Sequence, residues 1–508
     1  MKFFKCILII FCINNSLLLY AQDINIHGFF SQGYLKSDRD DFIAETSKGS
    51  FQFNEAGLMF STDLNDQLHI GMQFFARRLG NLGNDSLMLD WVFADYRWQD
   101  WMGFRIGKMK TPFGLYNEIR DIDMLRTSII LPQSVYFESW REAFFSCKGL
   151  GVYGELLLDK MGRISYQLLG GEATVPTDGG IAHYIERHGY GDIEKFEDLN
   201  SIVANLVWNT PVNGLKFGGT YIKSGLNADA VSNNSFIWGK LRLASDIYNQ
   251  IPQQLTDVLV NKNIDPAQAS QIANNLTLNY FDAIPLSDSW PKSFSFGYDP
   301  LRFLLFSAEY SMNKLTIAGE YMEGRASDNR KLNEINMMMP VPSEIWYMEG
   351  YYASLAYRIN DLIELGMYYS VYYFNRDDKD CIQFQQYNED IFQHMTLDEI
   401  YSISTESIKQ NFQLIINSDN QLGIIINDDD MSNINVKPNY QVIRNIYPDY
   451  GLYLKDLVFS ARFDFSDVCT FKVEGHFMEG AEIVEIINTP EPANKTRFLF
   501  ALKLTLNF

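Results

Sequence analysis

Basic and acidic side chains are interleaved in one long segment of the chain, RIGKMKTPFGLYNEIRDIDMLRTSIILPQSVYFESWREAFFSCKGLG, residues 105–151. At this density, charges can pair with one another or present an electric field to passing ions and solutes. Its basic residues include Arg105, Lys108, Lys110, Arg120, Arg126 and Arg141, and its acidic residues are Glu118, Asp121, Asp123, Glu138 and Glu142. The segment also contains Ile129, Ile130 and Leu131, which indicate a loop that packs against other elements rather than one that extends into solvent.

Residue types suited to hydrolysis also occur near the C-terminus, where His476 follows Glu474 and Ser460 is close in sequence. A histidine oriented by a carboxylate can activate a serine hydroxyl. The chain has no G-x-S-x-G, H-E-x-x-H or P-loop motif to support this chemistry. We therefore expect no enzymatic activity, no cofactor and no metal site, and a hydrolase is the weakest alternative.

Strands with alternating side chains must position these residues. In FLFALKLTLNF, residues 498–508, an apolar side chain occupies every second position, which is the period of a β-strand with one apolar face. Comparable patterns predict about sixteen strands, near 25–35, 51–62, 67–77, 88–98, 102–109, 149–159, 162–171, 201–209, 214–224, 302–311, 313–324, 346–359, 361–375, 455–466, 468–479 and 497–508. Most are close to the roughly 9–11 residues that a tilted membrane strand requires.

The connections between these strands alternate between short and long along the chain. Short ones such as TDLNDQ, WQDWMG and RIND are rich in turn-forming residues. The long ones lie near 36–50, 78–87, 110–148, 172–200, 225–301, 325–345, 376–454 and 480–496. This pattern predicts an all-β protein, a transmembrane antiparallel β-barrel with short periplasmic turns and long extracellular loops, formed as a single domain by residues 22–508.

The N-terminus and the composition agree with export. Residues 1–21 combine two lysines, an apolar run and a small residue, Ala21, as a signal peptide does. Its removal changes the formal charge from −21 to −23, which disfavours nucleic acid as a partner. Cys147, Cys381 and Cys469 remain, and the sequence leaves open whether two of them form a disulfide.

If the apolar face of each strand points to lipid, charged side chains point to the lumen, which at sixteen strands is expected to hold water. The predicted lumen-lining residues are Arg77, Lys216, Glu320, Arg462, Asp464, Lys472, Glu474, His476 and Lys503. We further hypothesise that the loop near 110–148 folds inward and narrows the pore. Its constriction residues would be Lys110, Arg120, Arg126 and Arg141, with Arg105 on the adjoining wall and Glu118 and Asp121 as acidic partners. In the alternative, the arginines only pair with nearby carboxylates and pin the loop to the wall.

The motifs GKMKTPFGLYNEIRD and LPQSVY, together with DINIHGFFSQGYLKS near the start, resemble porin-like proteins of Gram-negative outer membranes. That superfamily contains the phosphate-selective and dicarboxylate-type porins. The resemblance implies a sixteen-stranded, trimeric diffusion channel with a folded-in third loop. It also implies that Phe508 belongs to a C-terminal signal for the barrel-assembly machinery. Phosphate selectivity is not carried over, because the predicted lumen has no ladder of arginines.

The sequence therefore predicts an outer-membrane porin of a Gram-negative bacterium that lets small hydrophilic or charged solutes diffuse passively. Its expected partners are outer-membrane lipid and lipopolysaccharide, two further copies of the chain, the barrel-assembly machinery and the solutes themselves. The main alternative is an adhesion or receptor barrel whose lumen is occluded and whose long loops bind a partner.

Overall fold

The computed structural model describes residues 23–141, 146–187, 192–197, 199–231, 247–282, 293–328, 345–386, 405–418, 423, 425–432, 434, 448–482 and 494–508. The predicted signal peptide and much of the predicted loop at 376–454 lie outside these ranges. Within them, no helix combines the length and apolar character needed to cross a membrane.

The described chain is dominated by β-strands that follow one another in sequence. They are β1 (Asn25–Ser37), β2 (Phe53–Asn65), β3 (Leu68–Leu79), β4 (Met88–Gln99), β5 (Met102–Lys110), β6 (Ser146–Leu157), β7 (Arg163–Ala173), β8 (Asp192–Phe196), β9 (Leu199–Asn209), β10 (Leu215–Val231), β11 (Ser293–Met312), β12 (Leu315–Asp328), β13 (Ile345–Arg358), β14 (Ile363–Tyr373), β15 (Tyr453–Ser466), β16 (Cys469–Glu479) and β17 (Thr496–Asn507).

The strands form one closed antiparallel barrel. The last strand pairs with the first, in a register that runs from Phe29 opposite Asn507 to Ser37 opposite Leu499. β8 and β9 both pair with β10, one beyond the other along its length, so they form a single interrupted strand in the wall. The seventeen strands therefore occupy sixteen positions in the barrel wall, and the predicted fold class and strand number are confirmed.

Short turns lie at one end of the barrel and long connections at the other, as predicted. β10 and β11 are longer than the predicted 214–224 and 302–311, because the alternation continues with its polarity reversed. Ala228 and Ala230 are buried inside the wall, while Asn227 and Asp229 point outward. The predicted strands therefore end where their outward-facing residues stop being apolar.

In the described chain, α-helices occur only in the long connections. They include α1 (Gly180–Arg187), α2 (Ile247–Asn261), α3 (Pro266–Asp282), α4 (Thr405–Ser418) and α5 (Asp428–Met431). The sequence 251–276 predicts one or two short helices broken near Pro266, and α3 begins at that proline because its ring suits the first helical position. An ion pair of 2.8 Å between Lys262 and Asp430 links the connection that carries α2 and α3 to the one that carries α4 and α5.

The outside of the wall is apolar, and the inside differs between the two ends. Exposed apolar side chains cover the exterior, including Phe104, Ile106, Leu150, Leu206, Phe306, Phe459, Leu504 and Leu506. Inside, the half near the long connections contains a buried apolar cluster, to which those connections contribute Phe42, Ile43, Leu82 and Val135. This half differs from the expected water-filled lumen, because the loops bring their own apolar side chains into it.

Candidate functional site

The connection between β5 and β6, residues 111–145, folds into the barrel and is described up to Arg141; we name it the inner loop. It has two short 3-10 turns, Asn117–Ile119 and Asp123–Leu125. The Leu115 N–H donates to Glu320 of β12 at 3.0 Å, and the Ile129 N–H donates to Glu474 of β16 at 2.8 Å. Three strands of the wall separate β12 from β16, so a loop that leaves β5 reaches both only through the lumen.

Glu474 holds the inner loop to β16 through its backbone. Its two carboxylate oxygens accept the N–H groups of Ile129 at 2.8 Å and Ile130 at 2.9 Å. His476 Nε2 lies 2.9 Å from the same carboxylate, and its Nδ1 lies 2.8 Å from Asp456. The three polar side chains are almost fully buried. We name Glu474, His476 and Asp456 the Glu474 latch. Because both ring nitrogens contact carboxylates, His476 is not placed as a base for Ser460.

Glu320 holds the other side of the inner loop. Its buried carboxylate accepts hydrogen bonds from Ser307 at 2.5 Å, from Tyr352 at 2.7 Å and from the inner-loop residue Tyr136. The Leu115 N–H is the fourth donor. Four donors around one carboxylate replace the hydration that burial removes. Gly114 allows this approach, since a Cβ there would lie 2.6 Å from the Glu320 carboxylate and its φ is +62°.

Ion pairs fix the middle of the inner loop. Glu138 lies 2.6 Å from Arg120 and 2.7 Å from Arg77 of β3. Burial alone would raise the pKa of Glu138, but these two guanidinium groups lower it from 4.5 to about 2. Asp121 in turn contacts Lys110 and Arg141, which hold its pKa well below the usual range against the opposing effect of burial.

Asp123 ties the inner loop to the strands that close the barrel. Its carboxylate lies 2.7 Å from Lys503 of β17, 3.5 Å from Lys472 of β16 and 3.1 Å from Arg126 of the inner loop itself. Burial opposes ionisation of Asp123, yet the three cations lower its pKa. The Thr505 hydroxyl completes the set with a hydrogen bond of 2.7 Å. Asp123 is therefore a buried anion held by both the wall and the loop.

Arg105 lies on the wall of β5, apart from the inner loop. Its Nε donates to Asp95 at 2.6 Å, and its guanidinium lies 4.5 Å from the ring centre of Tyr153. Glu118 accepts a hydrogen bond from Gln167 at 3.2 Å. The predicted constriction cations Lys110, Arg105, Arg120, Arg126 and Arg141 thus all form ion pairs, as the pinning alternative predicted. Their role in a filter stays a prediction.

Most predicted lumen-lining residues point into the barrel but contact protein there. Those buried inside are Arg77, Glu320, Arg462, Lys472, Glu474, His476 and Lys503. Lys216 pairs with Glu309 at 3.0 Å, and Asp464 contacts Arg358 and Arg462. Strand alternation indicates the face on which a residue lies and carries no information about what fills the interior. Their contact with permeating solutes stays a prediction.

Sequence reasoning missed several residues of this network. Asp456 belongs to the latch, Glu55 pairs with Lys503, and Tyr136 and Tyr352 both donate to Glu320. Asp456 has the same parity in β15 as the predicted lumen residue Arg462, so alternation could have identified it. Tyr352 gives no such signal, because aromatic residues suit either face of a barrel strand. Tyr136 lies in the inner loop, where no strand period applies.

Two cavities remain beside the inner loop at the short-turn end. The aromatic cavity, about 430 Å³, lies between the inner loop and β1–β5 and is lined by Phe29, Trp91, Phe93, Met109, Glu118 and Ile122. The basic cavity, about 300 Å³, lies between the inner loop and β12–β15 and is lined by Arg126, Lys314, Ser354, Arg358, Glu364 and Arg462. Met124 lines both, so the inner loop divides the interior at this level.

Phe508 and the cysteines have simple environments. The backbone N–H and C=O of Phe508 both bond to Gly28, which extends the seam between β1 and β17. Its ring is mostly exposed, and its assembly role stays a prediction. Cys147, Cys381 and Cys469 are all free thiols, so no disulfide joins them in this structure.

No protein-family model and no curated protein matches this sequence. Among solved structures, the outer-membrane channel DcaP of Acinetobacter baumannii is similar over 96% of this chain and 97% of its own, with a TM-score of 0.46 and 8% identity. The anion-selective porin from Comamonas acidovorans is similar over 96% and 100%, with a TM-score of 0.47 and 8% identity. Outer-membrane expressed OmpT of Vibrio cholerae is similar over 97% and 99%, with a TM-score of 0.45 and 7% identity. At these values the likeness carries no information about solute or activity.

Proposed function

We propose that this chain is an outer-membrane porin of a Gram-negative bacterium, through which small hydrophilic solutes diffuse passively. The proposal rests on the observation of a closed barrel with sixteen strand positions, which is apolar outside and has a charged loop anchored across its lumen. Only a closed barrel or a helix satisfies its backbone polar groups in a bilayer, which supports the membrane assignment. Three protomers and lipopolysaccharide contact belong to this proposal.

The inner loop sets the limits of passage in this proposal. Lys110, Arg105 and Arg126 keep part of their side chains accessible beside the two cavities, so a solute meets them first. Arg120 and Arg141 line neither of the two cavities and act by holding the loop in place. Each cation lies beside a carboxylate such as Asp121, so the field in the lumen is mixed in sign and selectivity between anions and cations is weak.

Single-channel conductance of refolded protein in a planar bilayer tests the porin directly. We expect stepwise openings in groups of three and a small reversal potential in a salt gradient. Replacing Arg126 with glutamine removes an accessible cation and should shift the reversal potential toward cation preference. Arg163→Gln is the matched control, because Arg163 lies half-exposed at the short-turn end of β7 and pairs with Glu155. Equal shifts in both variants would contradict the role of the inner loop.

One observation favours the alternative of a receptor or adhesion barrel. The apolar cluster near the long connections, which includes Phe42, Ile43 and Leu82, occupies space that an open channel would leave to water. A folded barrel that never conducts would place this alternative first. Removing the α2–α3 connection, residues 232–292, would then abolish partner binding, whereas in a porin it should leave conductance in place.

A further inference from the structure

The aromatic cavity has walls built from rings that lie along the barrel. Trp91 and Phe93 stack with their centres 5.3 Å apart. Trp91 covers Gly71, where a Cβ would lie 3.0 Å from the indole, and Phe29 covers Gly57, where a Cβ would lie 2.3 Å from the phenyl ring. These two glycines leave room for the rings to lie against the neighbouring strand, while Trp91, Phe93 and Phe29 line the space.

The remaining apolar lining suits an aromatic guest. Met59, Met109 and Met124 place thioethers around the cavity, and sulfur packs favourably against ring edges. Ile122 closes the aromatic cavity on the side of the inner loop. Its side chain is 42% exposed although it lies inside the barrel, because it faces the open space of this cavity. A volume of about 430 Å³ lies within the roughly 300–1,000 Å³ typical of small-molecule pockets.

The charges that line the aromatic cavity are already balanced, with one exception. Arg105 pairs with Asp95, and Lys110 pairs with Asp121. In the described part of the chain, Glu118 has a hydrogen bond from Gln167 and no ion pair. The lining therefore offers no unpaired cation to a carboxylate solute, but it offers one carboxylate that can accept a hydrogen bond from a hydroxyl or amide.

We infer that the aromatic cavity is a binding subsite for a small aromatic solute that carries a hydrogen-bond donor, such as a hydroxyl or amide group, and no carboxylate. The ring stacks against Trp91 and Phe93, and the polar group donates to Glu118. The inference deepens the proposed function and rests on it, because the cavity serves transport only if the lumen is open. The ion pairs of the inner loop are balanced and do not select a solute class, whereas the aromatic cavity does.

Binding to refolded protein in nanodiscs tests the inference by saturation-transfer NMR, with benzyl alcohol as the probe and benzoate as the carboxylate analogue. We expect benzyl alcohol to bind more tightly than benzoate. Replacing Trp91 with leucine keeps apolar bulk and removes the indole face, and should weaken binding at least about fivefold. Trp98→Leu is the matched control, since Trp98 lies outside the aromatic cavity and packs edge-on against Trp101, with ring centres 5.5 Å apart.

A second variant separates charge from shape. Glu118→Gln keeps an acceptor oxygen, so benzyl alcohol should bind within about twofold of the native value, while benzoate should bind more tightly as repulsion is lost. Equal affinity in the native protein and Trp91→Leu, or tighter binding of benzoate than of benzyl alcohol to the native protein, would overturn the subsite. Conductance of the same preparations distinguishes the two proposals. A conducting barrel without binding refutes the subsite alone, and a silent barrel that binds refutes the pore and the transport role of the subsite.

Discussion

Replacing Glu474 with glutamine is the sharpest test of how the inner loop is held. In the native protein the two carboxylate oxygens each accept one backbone N–H, from Ile129 and Ile130, and one also contacts His476. Glutamine keeps one acceptor oxygen and places an NH₂ group where the other oxygen was. One buried N–H then faces a donor and has no acceptor.

The magnitude follows from burial. A buried donor left without an acceptor costs about 1–3 kcal/mol, and hydrogen bonds to charged groups contribute about 1.5–3 kcal/mol. We take about 2 kcal/mol as the loss in local stability of the inner loop, since glutamine preserves the shape of Glu474. At about 1.4 kcal/mol for each factor of ten, opening of the loop becomes roughly thirtyfold more frequent.

Hydrogen exchange at the amides of Ile129 and Ile130 measures this opening directly. We expect both amides to exchange roughly thirtyfold faster in Glu474→Gln, on the conversion above. Glu479→Gln is the control in the same strand, because Glu479 is 41% exposed and bonds to Tyr453 rather than to the inner loop. Unchanged exchange in Glu474→Gln, or equal acceleration in both variants, would refute the latch.

Three further outcomes are expected. Glu138 ionises with a pKa of about 2 instead of 4.5, so the stability that its ion pairs contribute is complete above pH 4.5 and falls by about 3 kcal/mol as the pH drops toward 2. Proteolysis at a series of pH values should detect the resulting release of the inner loop. Equal release at pH 4.5 and at pH 2.5 would contradict this. Tyr136→Phe removes a donor to Glu320 and should cost about 1–2 kcal/mol in urea unfolding, an effect absent if that bond is not formed. Gly107→Ala places a Cβ 2.1 Å from a backbone oxygen at φ +140° and should reduce the yield of folded barrel, whereas Gly170→Ala points into open space and should not.

The architecture was predictable because barrel strands repeat one simple rule. Each strand crosses an apolar layer with alternate side chains facing lipid, so the period in FLFALKLTLNF also places Lys503 inside. Short turns and long connections can be read from length and turn residues alone. The limits of β10 and β11 were less accurate, because beyond the bilayer water replaces lipid and Asn227 and Asp229 face outward.

The partners inside the barrel were not predictable in the same way. Periodicity shows that Lys472 and Lys503 point inward, yet it cannot show that both approach Asp123, which lies far away in sequence on the inner loop. The sequence suggested that the charges of the inner loop act on solutes. It could not show that these charges pair with one another and with the wall, because that pairing depends on how the loop folds. The apolar cluster around Phe42 and Leu82 was missed because apolar residues in loops carry no period.

The Glu474 latch has a consequence for the order in which the barrel is assembled. Ile129 bonds to a residue 345 positions later in the chain, on the second-last strand. Contacts over such separations form late, because the intervening chain must first be ordered. The part of the inner loop around Ile129 and Ile130 can therefore dock only after β16 has joined the wall, and its docking reports completion of the barrel. An assembly intermediate that lacks the last strands keeps Ile129 and Ile130 unprotected, however complete its earlier strands are.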